Sequence, residues 1–223
     1  MPDTLIRTYA ALVGAAIGSF LNVCIYRWPA GESVVSPRSR CPSCGSAIAW
    51  YDNIPVASWL LLRGRCRSCR AAISPQYPLI ELATALLWLA AAVRFGASIE
   101  ALRAATFLTL LLGIAMTDAK EMVIPDQFSL GGAALGLAFA GAPGGFPLLD
   151  AAIGAVVGYA LMWIVSWGGE KLFRKPALGL GDVHMMAMVG AFLGLDGALL
   201  TVLLGSLLGL AIGVPILWRR GGS

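Results

Sequence analysis

Long apolar runs dominate this chain and constrain its fold more than any other feature. Seven are candidates for membrane-spanning helices, because a helix needs about 20 mainly apolar residues to cross a bilayer. They cover residues 8–26, 78–94, 98–117, 127–142, 148–167, 182–195 and 197–217, of which the fourth and sixth are short. With 58% of residues hydrophobic and 13% charged, the composition excludes an ordinary soluble domain. We therefore predict an all-α polytopic membrane bundle with about seven transmembrane helices.

The positively charged residues predict how the bundle is oriented. Lys and Arg resist transfer across the bilayer and accumulate in cytosolic loops. When the loops are assigned to alternate sides, 13 of the 16 Lys and Arg residues fall on one side. Only Arg7, Arg94 and Arg103 fall on the other. An odd number of crossings then places the N-terminus outside and the C-terminus in the cytosol.

One long hydrophilic stretch divides the chain into three predicted regions. Residues 1–27 form a transmembrane anchor, residues 28–77 a cytosolic module, and residues 78–223 a transmembrane core. The first span has no basic segment before it and no small-residue cleavage site after it, so we expect no removable signal peptide. No internal repeat is strong enough to define further units.

The hydrophilic module contains four of the five cysteines, in two Cys-x-x-Cys pairs separated by 21 residues. This pattern is typical of zinc ribbons, in which four thiolates surround a tetrahedral Zn²⁺. Two disulfides are the alternative, but disulfides rarely persist in the reducing cytosol. Four sulfur ligands leave no open position on the metal, so we predict a structural zinc site. Its ligands are Cys41, Cys44, Cys66 and Cys69.

The charge of the module indicates what it contacts. From Arg27 to Tyr77 the stretch has seven arginines against Glu32 and Asp52, which gives a net charge of +5. This charge favours contact with anionic lipid headgroups at the cytosolic surface. We expect no nucleic-acid partner, because the module has few aromatic side chains on which bases could stack.

Two aspartates lie at ends of predicted spans. Asp118 closes the third span and Asp182 opens the sixth, both on the predicted cytosolic side. Two carboxyl groups within hydrogen-bond distance share a proton, as in aspartic proteases, so one can activate a water molecule while the other donates a proton. The helix dipole favours Asp182 as the base and Asp118 as the protonated partner. Gly179 and Gly181, just before Asp182, allow a substrate strand to approach closely. The alternative is that each aspartate only caps a helix or pairs with a lysine such as Lys120.

Taken in order, these motifs resemble the bacterial type IV prepilin peptidases. The resemblance covers almost the whole chain, and its Gly-x-Gly-Asp element is also similar to that of presenilin-like intramembrane aspartyl proteases. It implies that Asp118 and Asp182 are the catalytic residues. Asn22 and Glu81 lie in matching segments and are candidate contacts for the substrate or for methyl transfer. The matching segments are Gly18–Pro29, the two cysteine pairs, Tyr77–Glu81, Asp118–Asp126 and Gly179–Asp182.

The resemblance also implies an activity and a location. It implies a membrane aspartyl endopeptidase of the bacterial inner membrane, which removes the short basic leader from type IV prepilins or type II secretion pseudopilins. It implies N-methylation of the new N-terminus from S-adenosylmethionine. The chain departs from the family at two positions, with His184 where lysine is common and Gln76 where arginine is common. No glycine-rich Rossmann fingerprint marks a cofactor site.

Two other classes of function are alternatives. A transporter or channel would place acidic residues near the middle of the bilayer and would show paired interrupted helices. A zinc-ribbon adaptor without chemistry would keep its function when Asp118 and Asp182 are replaced.

Overall fold

The computed structural model describes residues 3–143, 145–175 and 178–219, and its regular structure within these ranges is helical. Beside the helices, a short 3₁₀ turn covers Trp50–Asn53. This confirms the prediction of an all-α bundle with a small cysteine module. The helices are α1 (Asp3–Arg27), α2 (Ala57–Leu61), α3 (Gln76–Phe95), α4 (Ile99–Glu121), α5 (Asp126–Gly141), α6 (Leu148–Phe173) and α7 (Leu180–Arg219).

Five of these helices, α1, α3, α4, α6 and α7, are long and apolar enough to cross a membrane. The count is lower than the seven predicted spans for two reasons. Helix α5, at 16 residues, is about 24 Å long, shorter than the roughly 30 Å hydrocarbon core. The last two predicted spans, 182–195 and 197–217, both lie in α7.

Helix α7 is interrupted at Gly194, which has φ of 72° and ψ of −172°. A Cβ placed on Gly158 of α6 would lie 2.5 Å from the Met186 carbonyl oxygen and 3.7 Å from the Ala198 Cβ. In a straight helix, residues 186 and 198 would be about 18 Å apart along the axis. The chain therefore folds back at Gly194, and residues 180–193 and 195–219 form two separate helical segments, as the two predicted spans required.

The chain forms two compact units, one reaching to Phe128 and a second beginning at Ser129. In the first, α1 and α3 pack through the backbone at Gly18, where an added Cβ would lie 2.7 Å from the Glu81 Cα. Helix α4 joins this pair through a hydrogen bond of 3.0 Å from the Trp88 indole nitrogen to the Thr109 hydroxyl. Such close backbone contact is expected for small residues in membrane helices.

In the second unit, α6 packs along the first segment of α7 in antiparallel direction. Gly194 lies beside the start of α6, since its added Cβ would be 3.9 Å from the Asp150 carbonyl oxygen. The end of α6 and the start of α7 therefore share the opposite end of this unit. That end carries Asp182.

Candidate functional site

The four cysteines of the module lie on two backbone turns of the same geometry. In the first turn, the Cys41 amide donates to the Ser46 carbonyl at 2.9 Å, and the Gly45 amide donates to Cys41 at 2.9 Å. In the second, the Cys66 amide donates to Ala71 at 2.8 Å, and the Arg70 amide donates to Cys66 at 3.0 Å. Each turn thus has its two sulfurs on one side, as the Cys-x-x-Cys pattern predicted.

The two turns are copies of one another, displaced by 25 residues. Isolated antiparallel bridges join Arg40 to Ala47 and Arg65 to Ala72, and the fifth turn position has positive φ in both copies. Residues 39–48 and 64–73 are identical at six of ten positions, sharing the pattern Arg-Cys-x-Ser-Cys-x-x-Ala-Ile. We predicted no usable internal repeat from the sequence, and this duplication corrects that prediction. Comparison of the segments around the cysteine pairs would have found it.

The geometry of the four sulfurs fits a tetrahedral zinc ion. Their Sγ atoms all lie within 4.8 Å of one another, and those of Cys41 and Cys69 are 3.8 Å apart. Zinc–sulfur bonds of about 2.3 Å require tetrahedral edges of about 3.8 Å. The four cysteines are free thiols. The 3.8 Å separation of the Cys41 and Cys69 sulfurs is far longer than a disulfide bond of about 2.05 Å. The cluster could therefore hold a metal ion after a contraction of about 1 Å at its widest.

Hydrogen bonds within the turns prepare some of these thiols for metal binding. Hydrogen bonds with the Ser46 side chain and backbone lower the pKa of Cys44 to about 6. Backbone hydrogen bonds of Cys69 and Ser68 lower the pKa of Cys66. For Cys69, a backbone hydrogen bond of Ala71 lowers the pKa, but desolvation and the neighbouring thiols outweigh it and raise the pKa to about 11. Since the thiolate is the form that binds metal, Cys44 is the most readily prepared ligand.

An ion pair braces the second turn against the 3₁₀ turn. Arg67 donates from Nε to the Asp52 Oδ2 at 2.8 Å and from Nη2 to Oδ1 at 2.6 Å. The hydrogen bonds and charge of Arg67 lower the pKa of Asp52 and raise that of Arg67. The guanidinium also lies 5.4 Å from the centroid of the Tyr51 ring. This bidentate arrangement holds the Cys66–Cys69 turn at a defined angle.

The candidate contacts Asn22 and Glu81 lie where the module meets the membrane helices. Asn22 is 1% exposed, and its Nδ2 donates to the Gly18 and Tyr77 carbonyl oxygens at 3.2 and 3.1 Å. Glu81 is 8% exposed, and its Oε2 accepts a hydrogen bond of 2.7 Å from the Val56 amide. Val56 has φ of 59°, an uncommon conformation for a β-branched residue. The Glu81 carboxylate therefore links α3 to the residue that precedes α2 through this hydrogen bond.

These two residues line a cavity of about 830 Å³ between α1, α3 and the cysteine module. Its wall also includes Tyr26 and Tyr77, whose rings stack with centroids 5.5 Å apart. The mixture of buried polar groups and aromatic faces is typical of small-molecule sites. The two residues could be singled out from the sequence, but the cavity could not, because it depends on how the module packs on the helices.

Asp118 lies exposed in the last turn of α4, at the same end of the first unit as the cysteine module. This placement follows from Lys120, whose Nζ lies 3.9 Å from the centroid of the Tyr26 ring near the end of α1. Within the described residues, Asp118 makes no ion pair with Lys120, because the Lys120 ammonium lies over the face of the Tyr26 ring. The structure therefore disfavours the alternative in which Lys120 neutralises Asp118.

Asp182 lies half-buried in the first turn of α7, in the second unit. Its amide donates to the Gly179 carbonyl at 3.2 Å, and a Cβ on Gly179 would lie 3.4 Å from the Asp182 Oδ2. Gly179 thus leaves the carboxylate uncovered, and Gly181 directly precedes Asp182 in α7. His184 stacks on Tyr159 of α6 with centroids 6.1 Å apart. Asp118 and Asp182 belong to different units, and their pairing stays a prediction.

Two family models match the sequence. The Bacterial Peptidase A24 N-terminal domain matches residues 12–95, which include α1, the four cysteines, Asn22 and Glu81. The Type IV leader peptidase family matches residues 105–214, which include Asp118 and Asp182. The two matches together contain every predicted site residue.

Similar proteins bear the same name, "Prepilin leader peptidase/N-methyltransferase". The protein from Myxococcus xanthus (strain DK1622) is 41% identical over 97% of this chain and 65% of its own length. That from Pseudomonas putida is 38% identical over 97% of this chain and 83% of its own length. That from Klebsiella pneumoniae is 40% identical over 89% of this chain and 90% of its own length. The chain thus spans just under two thirds of the Myxococcus relative. No solved structure matches the chain.

Proposed function

The chain belongs to the type IV leader peptidase family, and from this premise we propose that it is a membrane aspartyl endopeptidase that removes the leader from prepilins or pseudopilins. The observation that carries the proposal is the family match across residues 105–214, which contain both Asp118 and Asp182. Family membership also disfavours the transporter and adaptor alternatives. The five apolar helices fit a multi-pass protein of the bacterial inner membrane.

The orientation of each unit supports a common side for the two aspartates. In the first unit, Asp118 lies at the end that carries Arg27 and the arginine-rich module. In the second, Asp182 lies at the end of α6 that carries Lys171 and Arg174. Because basic residues stay in the cytosol, both ends face the cytosol, with the N-terminus outside and the C-terminus inside.

The proposed dyad hydrolyses the peptide bond after the leader through general acid–base catalysis. Asp182, at the start of α7, takes a proton from water, and the resulting hydroxide attacks the scissile carbonyl carbon. Asp118, at the end of α4, donates its proton to the carbonyl oxygen. Asp182 then gives the proton it took from water to the leaving nitrogen, and Asp118 regains a proton from a hydroxyl of the tetrahedral intermediate. The carbon–nitrogen bond breaks, so that the leader leaves with a carboxyl terminus and the new N-terminus is released as an amine. The helix dipoles favour this division of roles.

The second proposed activity is N-methylation of the new N-terminus, as the relatives' printed name indicates. S-adenosylmethionine supplies the methyl group for this reaction, and Asn22 and Glu81 are the residues proposed to contact the donor or the substrate. The cysteine tetrad holds Zn²⁺ in a structural role, because all four of its tetrahedral positions are filled by Cys41, Cys44, Cys66 and Cys69. The proposed module at 28–77 thus folds around its metal.

The experiment combines purified enzyme with a prepilin that carries its leader, and mass spectrometry of the product reports leader loss and any added methyl group. Asp118→Asn and Asp182→Asn should each lower the rate of leader removal by about 10²–10⁴. Because the two residues act as a unit, the double variant should be no slower than the slower single variant. Asp150→Asn is the matched control, because it makes the same change in the first turn of α6, at the end of the second unit away from Asp182. Leader removal at the wild-type rate by either dyad variant would contradict the proposed mechanism.

A further inference from the structure

The last turn of α4 carries Asp118 and contacts α1. Residues 118–121 are exposed, and the helix ends at Met122, which has φ of 53° and donates its amide to the Asp118 carbonyl oxygen at 2.9 Å. Helix ends fray unless contacts with other segments hold them. Here the Lys120 Nζ lies over the Tyr26 ring of α1, at 3.9 Å from the ring centroid. This contact ties the end of α4 to the end of α1.

The Tyr26 ring is itself fixed by α3. Tyr26 and Tyr77 stack with their centroids 5.5 Å apart and their planes at 16°. One turn earlier in α1, the Asn22 Nδ2 donates to the Tyr77 carbonyl oxygen at 3.1 Å. Tyr77 therefore contacts α1 at two positions one helical turn apart. Lys120 thus contacts a ring whose orientation is set by both α1 and α3.

The helical geometry of α4 determines where Asp118 points. Helix α4 packs on α1 at Gly113, whose added Cβ would lie 3.0 Å from the Leu21 Cδ1. At 3.6 residues per turn, Lys120 lies about 20° from Gly113 around the helix, whereas Asp118 lies about 160° from Lys120. Lys120 therefore extends the contact with α1, and Asp118 leaves α4 on the opposite face. Residues two apart on a helix do not face each other, so this arrangement also keeps the lysine away from the carboxylate.

We propose that Tyr26 and Lys120 are positioning residues for leader removal, because their contact fixes the last turn of α4 and so the direction in which Asp118 presents its carboxyl group. The proposal rests on the proposed peptidase function and adds two residues to it. Asp118 must reach the scissile carbonyl oxygen within hydrogen-bond distance to act as the acid. Both positioning residues act through Asp118. If Lys120 bound the substrate instead, its loss would raise KM.

Steady-state leader removal by the full chain in nanodiscs tests this role. Tyr26→Leu removes the ring face, and Lys120→Met removes the charge but keeps the length of the side chain. Each should lower kcat about three- to tenfold and leave KM within about twofold of the wild type, because the acid is misdirected while the binding of substrate is unchanged. An unchanged kcat, or a rise in KM alone, would overturn the proposal.

Conservative variants separate positioning from a general effect on the fold. Tyr26→Phe keeps the ring, and Lys120→Arg keeps a cation that stacks on aromatic faces, so both should retain kcat within about twofold. Because Tyr26→Leu and Lys120→Met break the same contact, the double variant should be no slower than the slower single variant. Conservative variants as slow as Tyr26→Leu, or two effects that multiply, would contradict the role of this contact.

Lys171→Met is the matched control for loss of positive charge. It removes another lysine that lies over an aromatic ring, with the Lys171 Nζ 5.2 Å from the centroid of Trp167. Its kcat should equal that of the wild type. A loss as large as that in Lys120→Met would be a nonspecific effect of lost charge and would overturn the proposal.

Hydrogen exchange measured on peptides that cover residues 113–122 tests the ordering of the turn without substrate. Its amides should exchange about three- to tenfold faster in Tyr26→Leu than in Tyr26→Phe, because the turn opens more often without the contact. Equal exchange in the two variants would overturn the proposal. The assays also separate it from the peptidase proposal. A wild type that leaves the leader attached contradicts the peptidase, whereas equal kcat in the wild type and Tyr26→Leu, with Asp118→Asn inactive, contradicts only the positioning role.

Discussion

The contact between α6 and α7 predicts that Gly158→Ala both destabilises the protein and slows leader removal. A Cβ at Gly158 would lie 2.5 Å from the Met186 carbonyl oxygen. Because this neighbour is backbone, no change of side-chain rotamer can relieve the overlap. Met186 lies one helical turn after Asp182, so a displacement of this segment moves the proposed base. Gly168 of α6 is the matched control, since nothing lies within 4 Å of its added Cβ.

The size of the effect follows from the overlap. Ordinary contact begins at 3.4 Å, so the two helices must separate by about 0.9 Å to accommodate the methyl group. Overpacking of this kind costs about 1–3 kcal/mol. Alanine stabilises a helix by about 1 kcal/mol relative to glycine. Gly168→Ala has the same gain in helix stability, so this gain cancels when the two variants are compared. The free energies of unfolding of the two variants should therefore differ by about 1–3 kcal/mol.

Thermal unfolding in one detergent measures the stability difference, at about 2–4 °C in Tm per kcal/mol for a chain of this size. A shift of about 1 Å at a catalytic group costs up to about a hundredfold in rate, so Gly158→Ala should remove leaders at least tenfold more slowly than Gly168→Ala. Equal Tm values would refute the packing argument. A destabilised Gly158→Ala that cleaves at the wild-type rate would refute the coupling between this contact and Asp182.

Three further predictions concern the cysteine module and the first unit. Cys44→Ser should abolish the retention of about one Zn²⁺ per chain, measured by mass spectrometry of metals, whereas Cys24→Ser in α1 should retain it. Asp52→Asn should speed zinc release to a chelator no more than a few-fold at pH 7, since exposed ion pairs contribute little to stability. Arg67 lowers the pKa of Asp52 in the folded protein. The difference in zinc-release rate between the wild type and Asp52→Asn should therefore be complete above about pH 4 and disappear as the pH falls through that lowered pKa. Gly18→Leu should lower Tm more than Gly131→Leu, because only the first added side chain meets α3 backbone.

Much of the site could be predicted from residue type and spacing. The cysteine pairs indicated a tetrahedral metal site because four thiolates can fill the four positions around a zinc ion. The structure brings all four sulfurs within 4.8 Å of one another. Asn22 and Glu81 were predicted as candidate contacts for the substrate or for methyl transfer, and the structure places both in the cavity wall. The contact of Lys120 with Tyr26 could not be predicted, because it joins residues 94 positions apart through the packing of α1 and α4. The sequence left a pairing of Lys120 with Asp118 open only as an alternative to the catalytic dyad.

The sequence by itself determined which segments are helical and apolar, because the length and hydropathy needed to cross a bilayer are local properties of the chain. It also indicated which four cysteines could hold a metal ion, because metal-binding chemistry depends on side-chain type. Only the tertiary structure decided that α7 folds back at Gly194, that Glu81 holds the Val56 amide, and that Lys120 lies over the Tyr26 ring. These features arise from contacts between distant segments, whose energies depend on backbone approach and burial that no local pattern records.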